Sequence, residues 1–307
     1  MERRAFIKTL GAAGAASLLG AAPSGCGPAP DWRWPDSTGQ RIGGPFAVAF
    51  DPEGHLYVTD APGYRVLRLD RRLRQISAFG APGAEPGKLN FPLGIAVDAE
   101  GQIHVVDSNN GRVQIFDQEG RFKRMLGSIG SIGGSFSSPQ GITVDASGRT
   151  LVADTRNHRV QIFQGGQVTA VIGEMGDGND QFRLPTAALA TPDGEILALD
   201  SKHGLVKVFG KDFAFRRSFG GVGKDPGKLN LPQGMALDEQ GRLWVADTNN
   251  NRLQAFNLNG SVISVRGKAG SAAGEFNRPT GLAFREGLLY VADNGNGRIQ
   301  IMVGHVG

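Results

Sequence analysis

The sequence predicts an all-β fold in which six four-stranded antiparallel sheets form the blades of a closed propeller. An aspartate at the end of an apolar run recurs every 46 or 47 residues, and a proline recurs at the same spacing. The chain has 47 glycines and 16 prolines between short β-branched and aromatic runs, which indicates short strands and tight turns. The aspartates are Asp60, Asp107, Asp154, Asp200, Asp247 and Asp293, and the prolines are Pro45, Pro92, Pro139, Pro185, Pro232 and Pro279.

The second repeat illustrates the strands expected in each unit. Residues 94–98, 103–107, 112–117 and 122–127 are apolar or alternating runs separated by turn residues. One such sheet cannot bury both of its faces alone. Six of them are therefore expected to pack face to face around a common axis.

Closure of the ring requires a strand from outside the last repeat. That repeat supplies only three strands, at residues 281–284, 288–293 and 298–302, before the chain ends. The unassigned segment 31–35 contains Trp32 and Trp34. We expect it to pair with residues 298–302 and to be held there by the buried Trp rings.

The N-terminus has the layout of an export signal over residues 1–25. Arg3 and Arg4 precede a mildly apolar run at residues 9–22, which is too short to cross a bilayer as a helix. The paired arginines followed by Phe6, Ile7 and Lys8 resemble twin-arginine signals, which bring folded proteins to the bacterial export machinery of that name.

The only cysteine, Cys26, lies where this signal ends, and one cysteine excludes an intrachain disulfide. Its surroundings resemble a lipoprotein cleavage site, although Pro23 stands where such sites usually carry an aliphatic residue. Cleavage after Ala22 by the ordinary signal peptidase is the alternative, and it would leave a poorly tolerated proline at the new N-terminus. We favour lipidation of Cys26, a linker at 26–30, the propeller at 31–303 and a tail at 304–307.

The repeat resembles the NHL repeat. The features that carry the resemblance are the run Pro-x-Gly-Ile-Ala-Val-Asp, the run Val-Val-Asp-Ser-Asn-Asn-Gly-Arg-Val-Gln-Ile-Phe, and a glycine-rich connection before the next proline. The resemblance covers residues 44–303, in all six repeats. NHL propellers include RNA readers, protein-interaction platforms, extracellular sensor domains and a peptide-amidating lyase, so the resemblance implies the fold more than an activity.

An aspartate and an arginine flank the turn between the second and third strands of five repeats. We interpret these pairs as structural, because a carboxylate and a guanidinium so placed can join the two strands of a hairpin. The pairs are Asp60 and Arg65, Asp107 and Arg112, Asp154 and Arg159, Asp247 and Arg252, and Asp293 and Arg298.

The fourth repeat breaks this pattern, since Leu205 replaces the arginine and Asp200 is expected to lack a partner. It also has Ala187 and Ala188 where other repeats have a glycine. Its turn at 201–204 and the preceding turn at 155–158 carry cationic and titratable side chains. The candidate ligand-binding residues are Arg156, His158, Lys202 and His203, with Tyr64 nearby across the channel.

The sequence predicts no catalytic residue, no metal site and no cofactor. Amidating lyases of this fold hold zinc with histidines in turns after the second strand, and His158 is similarly placed. Catalytic zinc needs three protein ligands, and only His203 is a plausible neighbour. Residues 174–180 contain two carboxylates and an amide, as calcium loops do, but they occupy an ordinary connection of the repeat.

The function predicted is that of an exported, periplasmic or cell-surface binding or sensor module, without enzymatic activity. Its loop face would bind a protein, peptide, glycan or small anion, and it would meet the membrane only through the lipid on Cys26. Without the charged residues of the signal, 30 basic and 28 acidic side chains remain, a net charge of +2 that disfavours nucleic acid. The alternative is an extracytoplasmic metal-dependent lyase or hydrolase resembling the amidating lyases.

Overall fold

The structure is a computed structural model that describes residues 32–33 and 42–304. Within these residues, the blades are six antiparallel four-stranded sheets. From the innermost strand outwards, blade 1 has the strands Pro45–Phe50, Leu56–Asp60, Arg65–Leu69 and Gln75–Phe79, and blade 2 has Pro92–Val97, Ile103–Asp107, Arg112–Phe116 and Phe122–Leu126. Blade 3 has Ile142–Val144, Thr150–Asp154, Arg159–Gln164 and Gln167–Ile172, and blade 4 has Pro185–Ala190, Ile196–Asp200, Leu205–Phe209 and Phe215–Gly220. Blade 5 has Met235–Leu237, Leu243–Asp247, Arg252–Phe256 and Val262–Arg266, and blade 6 has Pro279–Arg285, Leu288–Asp293, Arg298–Val303 and Trp32–Arg33. A two-stranded parallel pair, Lys268–Ala269 with Glu275–Phe276, lies in the connection from blade 5 to blade 6.

The position of a strand within its blade decides its pattern of burial. The second strands of blades 1 to 5 are buried at every position, because both of their faces pack against other blades. The outermost strand of blade 3, Gln167–Ile172, alternates between exposed and partly buried positions. This difference explains why the second strands are apolar or small at nearly every position while the outer strands alternate.

The hydrophobic core consists of clusters that join consecutive blades. One cluster unites residues of blades 2 and 3, including Phe136 and Phe163, whose ring centroids lie 5.6 Å apart. Another unites blades 5 and 6, where Trp244 packs on Phe284 at 5.9 Å. Each blade therefore depends on its neighbours for burial of its apolar side chains.

The innermost and outermost strands of blade 6 both contribute to ring closure. The strand Trp32–Arg33 pairs antiparallel with the third strand of blade 6, joining Trp32 to Met302 and Arg33 to Ile301 in register. The Thr280 hydroxyl donates to the Phe46 carbonyl of blade 1 at 2.7 Å. Closure by the N-terminal strand is thus confirmed, whereas the Trp side chains expected to hold it lie outside the described residues, as do the export signal, Cys26 and the linker.

One face of the propeller carries the turns between second and third strands together with the connections that enter each innermost strand. We call this face the loop face. In four blades the turn is a single turn of 3-10 helix, at Ser108–Asn110, Thr155–Asn157, Thr248–Asn250 and Asn294–Asn296. A residue in the left-handed conformation follows each turn and reverses the chain into the third strand.

Candidate functional site

We call blades 2, 3, 5 and 6 the regular blades. In each of them a buried aspartate organises the residues of the loop face. In blade 2, Asp107 Oδ2 accepts hydrogen bonds from Asn110 Nδ2 at 2.9 Å, from Arg112 Nε at 2.8 Å and from Gln114 Nε2 at 3.0 Å. Its Oδ1 accepts the backbone N–H of Asn90 at 2.6 Å. Both oxygens of the carboxylate accept hydrogen bonds from blade 2 or from the connection that enters it, which is the pattern of a structural group rather than a reactive one.

In blades 2, 3, 5 and 6 the arginine also holds the connection that enters its blade. Arg112 Nη2 donates to the carbonyl oxygens of Glu85 and Lys88 at 3.1 and 3.2 Å. The structural role expected for the five pairs is therefore confirmed, since each joins its hairpin at 2.5 to 3.0 Å.

Blade 4 replaces three residues of this network at once. His203 stands at the position of the asparagine, Leu205 at that of the arginine and Lys207 at that of the glutamine. Asp200 Oδ2 lies 3.0 Å from Lys207 Nζ and 2.8 Å from His203 Nδ1. The expectation that Asp200 lacks a partner is wrong, because the cation lost at position 205 reappears two residues further along the same strand.

His203 joins Asp200 to the connection that enters blade 4. Its Nε2 lies 3.1 Å from Asp177 Oδ1, which also accepts a hydrogen bond from Arg183 Nε at 2.9 Å. The hydrogen bond and charge of Arg183, followed by the hydrogen bond from His203, lower the pKa of Asp177. Both ring nitrogens of His203 and the Oδ1 atom of Asp177 are thus engaged.

His158 braces blade 3 against blade 4. It adopts the left-handed conformation, with φ of 56°, and its Nδ1 accepts the backbone N–H of Leu184 at 3.2 Å. Asn251 does the same between blades 5 and 6, where its Oδ1 accepts the backbone N–H of Arg278 at 2.8 Å. The side chain of His158 therefore has a structural role that the sequence pattern did not indicate.

The other three candidates present their side chains on the loop face. Arg156 and Lys202 are exposed, and their backbone N–H groups are fixed to the carbonyls of Ser137 and Arg183. Tyr64 is partly buried at the left-handed position of the blade 1 turn, with φ of 54°. Within residues 42–304 their side chains form no hydrogen bond or ion pair, so their polar groups are available to a ligand.

The central channel has a volume of about 420 Å³ and is lined by the innermost strands of all six blades. Three threonine hydroxyls on this wall bond to a neighbouring blade. Thr143 donates to the Ala188 carbonyl at 2.9 Å, Thr186 to the Pro232 carbonyl at 3.0 Å, and Thr280 to Phe46. The walls are otherwise formed mainly by alanine, valine, leucine and phenylalanine.

The glycines of the innermost strands allow neighbouring blades to approach closely around this channel. A Cβ atom on Gly141 would lie 2.4 Å from the Thr186 carbonyl oxygen, and one on Gly234 would lie 2.1 Å from that of Thr280. Ala187 is the equivalent residue of blade 4. Blade 4 thus has an alanine where the other blades have a glycine, and the innermost strands of blades 4 and 5 accommodate its additional methyl group.

One group of metal-ligating side chains occurs within residues 42–304, and it lies on the opposite face in blade 1. Asp51, Glu53 and His55 could bring one ligand atom each within 4.8 Å of the others. Arg68 Nη2 lies 2.9 Å from His55 Nδ1 and 3.5 Å from Asp51 Oδ2. A guanidinium in this place repels a metal ion, and the group is better described as an ion-pair network.

The pKa of Asp51 agrees with this description. Burial of the carboxyl acts to raise its pKa, but hydrogen bonds from the backbone and side chain of His55, together with the charges of His55 and Arg68, outweigh burial and lower it. Asp51 is therefore an ionised carboxylate with cationic partners already in place.

The comparisons with known proteins agree with the geometry. The NHL repeat family matches residues 89–116, 136–163, 229–256 and 276–302, which lie in blades 2, 3, 5 and 6. This protein is a six-bladed propeller built with NHL repeats. Blades 1 and 4 of the NHL propeller, which fall outside those matches, are the blades that lack the Asn-x-Arg-x-Gln arrangement around the aspartate.

The NHL propeller resembles NHL repeat-containing protein 3 of Mus musculus, with 38% identity over 96 residues. These residues make up 29% of this chain and 27% of the mouse protein, so the chain spans about a quarter of the length of that relative. The likeness is thus confined to about two repeats.

Solved structures with the same fold have diverse descriptions. A gluconolactonase from Xanthomonas campestris superposes with a TM-score of 0.65 at 15% identity, over 86% of each chain. An auxiliary nutrient binding protein from Bacteroides thetaiotaomicron gives a TM-score of 0.65 at 15% identity, over 85% of this chain and 69% of the other. At such identities the likeness establishes the fold alone.

Among the residues that the structure describes, no helix has the length and apolar character needed to span a bilayer.

Lys207 is the site residue that the sequence did not lead us to expect. A lysine at a position held by glutamine in blades 2, 3, 5 and 6 was the available signal.

Proposed function

We propose that this protein is an exported NHL propeller that binds an anionic ligand on its loop face and has no enzymatic activity. One observation carries the proposal. On the loop face the aspartates and histidines of the repeats are engaged in structural contacts, whereas the exposed cations Arg156 and Lys202 form no ion pair within residues 42–304. Groups of this kind attract and orient an anion.

The channel supports a role in binding. Its volume of about 420 Å³ falls within the range typical of small-ligand sites. Tyr64 on blade 1 and the two cations on blades 3 and 4 lie on turns between second and third strands, and these turns share the loop face. A peptide, protein segment, acidic glycan or small anion could contact the cations while one of its groups enters the channel.

Export and anchoring are part of the same proposal. Arg3 and Arg4 resemble the twin-arginine signal, and Cys26 resembles a lipidated cysteine. A propeller delivered folded to the outside of the membrane and tethered by lipid is suited to sensing or capturing extracellular ligands.

Localisation is tested directly in a bacterial host that has both pathways. Mass spectrometry of the mature protein should find a diacylated N-terminal cysteine, and Cys26→Ser should release the protein into the soluble periplasmic fraction. Replacing Arg3 and Arg4 with lysine should stop export. A mature N-terminus at Pro23, or an unchanged membrane fraction for Cys26→Ser, would contradict the anchor.

Ligand binding is tested with a fluorescein-labelled acidic hexapeptide. Its anisotropy should increase on titration with the protein, and the double variant R156Q/K202Q should weaken binding by about tenfold, since each lost charge contact contributes roughly 0.5–1 kcal/mol. The matched control R72Q/K123Q removes the same charge from exposed residues of the opposite face and an outermost strand. Equal affinity for both double variants would contradict the proposed site.

The alternative, a metal-dependent lyase or hydrolase, is separated from this proposal by metal analysis. The likeness in fold to a gluconolactonase motivates the comparison. Stoichiometric zinc or calcium in the purified protein, lost in H158A/H203A, would favour an enzyme. The binding proposal expects substoichiometric metal that these substitutions do not change.

A further inference from the structure

A second cavity lies between blades 2 and 3 on the opposite face, away from the loop-face site. It has a volume of about 250 Å³. In blade 2 it is lined by the second and fourth strands and by the turn that precedes the second strand, and in blade 3 by parts of the first three strands and their turns. Cavities of about 150 Å³ with apolar walls bind benzene. This one has room for an aromatic ring and a short polar chain.

The cavity exists because blade 2 lacks a ring that other blades supply. The residue three positions before the aspartate that ends the second strand is Tyr57 in blade 1, Trp244 in blade 5 and Tyr290 in blade 6. Trp244 is fully buried, and its Nε1 donates to Asp238 Oδ2 at 3.0 Å. Blade 2 has the smaller His104 in this place, with Nε2 at 2.9 Å from Asp98 Oδ2.

Blade 3 also lacks the apolar side chain that other blades contribute to such an interface. The turn between third and fourth strands places Leu73, Phe213 or Leu258 against the core of the preceding interface in blades 1, 4 and 5. In blade 3 this turn is Gly165-Gly166, which has no side chains. The two missing groups belong to the same interface, and together they leave the space empty of protein atoms.

A polar nitrogen is buried without a partner beside this space. His104 is 3% exposed, and its Nδ1 forms no hydrogen bond within the described residues. Burial lowers the pKa of His104, and this outweighs the opposing effect of Asp98, so the ring is neutral at pH 7. Because the Asp98 carboxylate only accepts, Nε2 carries the proton and Nδ1 presents a lone pair that lacks a donor.

The rim of the cavity carries one charge of each sign. Arg124 and Glu100 are both exposed, both line the cavity, and neither forms a side-chain hydrogen bond or ion pair with another described residue. A methyl group on Gly166 would lie 4.0 Å from Arg124 Nη1, which places the guanidinium directly above the glycine turn. A carboxylate would pair with Arg124, and an ammonium group would pair with Glu100.

We propose that this cavity is a binding site for a free aromatic amino acid whose ring carries a hydrogen-bond donor, such as tyrosine. The ring takes the place that Trp244 fills in blade 5, packing on Phe163 and Val144. Its donor reaches His104 Nδ1, and its carboxylate and ammonium groups meet Arg124 and Glu100. The site is independent of the loop face and would make the protein a receptor for amino acids.

The test titrates the full-length mature protein with four related probes at up to millimolar concentration, followed by NMR and calorimetry. L-tyrosine should give saturable shifts at residues lining the cavity. L-phenylalanine, tyramine and 4-hydroxyphenylacetate each lack one polar group and should bind about tenfold more weakly, because each leaves one partner in the site unpaired.

Variants assign each contact separately. R124Q should weaken tyrosine about tenfold without affecting tyramine, and E100Q should weaken tyrosine without affecting 4-hydroxyphenylacetate. H104W should abolish binding by filling the cavity as Trp244 does in blade 5, with an unchanged or higher melting temperature. K123Q, one residue away on the same strand and outside the cavity lining, is the charge-matched control.

Two results would overturn the proposal. The first is the absence of saturable shifts with tyrosine in the wild type. The second is binding of tyrosine that H104W, R124Q and E100Q all leave unchanged. If H104W does not fold, the two surface variants still decide the outcome, since both replace exposed side chains.

Discussion

The charge arrangement around Asp200 in blade 4 makes a quantitative prediction for the substitution Lys207→Gln. The Lys207 side chain is 3% exposed and the Asp200 side chain is fully buried, with 3.0 Å between Nζ and Oδ2. Glutamine at this position bonds to the equivalent aspartate in blades 2, 3, 5 and 6. The substitution therefore keeps donors for Asp200 and for the Gln181 carbonyl, but it removes the charge and the hydrogen bond from Nζ to the Gly178 carbonyl at 2.9 Å.

The magnitude follows from what remains beside the carboxylate. In the regular blades an arginine still neutralises the aspartate, but blade 4 has Leu205 in that place. Leaving a buried charge without its ion-pair partner costs about 3–5 kcal/mol. At an unfolding entropy of roughly 2.1 cal/mol/K per residue, a domain of this size should then melt about 5–9 °C lower.

The assay is denaturant unfolding followed by far-UV circular dichroism, with thermal melts in parallel. The double variant L205R/K207Q restores the arginine and the glutamine of the regular blades beside His203 and should recover to within about 1 kcal/mol of the wild type. K228Q, which removes an exposed lysine of a connection, should change stability by less than about 0.5 kcal/mol.

The reasoning would be refuted if K207Q unfolded within about 1 kcal/mol of the wild type. It would also fail if L205R/K207Q were as unstable as K207Q alone. In the first case His203, which lies 2.8 Å from Asp200, would be sufficient as the partner of the carboxylate.

Three further predictions concern closure, packing and pH. Deleting residues 31–36 should lower the melting temperature sharply, because the third strand of blade 6 loses the pairing with Trp32–Arg33; an unchanged melt would rule out closure by this strand. Gly141→Ala should destabilise by about 1–3 kcal/mol in urea, since its Cβ would lie 2.4 Å from the Thr186 carbonyl oxygen, whereas Ala187→Gly should cost less. The lowered pKa of His104 means that the unfolded chain takes up a proton before the folded one as the pH falls below about 6.5. Stability should thus decline from pH 7 to pH 5 by more in the wild type than in H104W, and parallel pH profiles would show that His104 does not contribute.

The sequence by itself determined the architecture of this protein. A period of 46 or 47 residues, with turn residues and charged residues at constant offsets, specifies a supersecondary unit that must stack on copies of itself. The same count showed that the last repeat lacks one strand and that the N-terminal segment must supply it. These inferences hold because strand alternation and turn chemistry are local properties of the chain.

Only the tertiary structure decided the roles of individual polar side chains. From the sequence, Leu205 indicated an unpaired Asp200, and His158 and His203 indicated a cationic, titratable ligand-binding patch. In the structure Lys207 neutralises Asp200, His158 Nδ1 accepts a backbone N–H of the next blade, and His203 joins two carboxylates. His158 and His203 contact residues that lie 26 positions away along the chain, and Lys207 lies two positions beyond Leu205. No local sequence pattern indicates such contacts.

The cavity between blades 2 and 3 shows the same limit. His104 and Gly165-Gly166 are ordinary residues when read in separate repeats, and neither departs from the pattern enough to attract notice. They matter because packing places them on opposite sides of one interface, where His104 is smaller than the ring of other blades and the two glycines have no side chain. Local sequence specifies each blade, whereas the space left between two blades depends on both of them together.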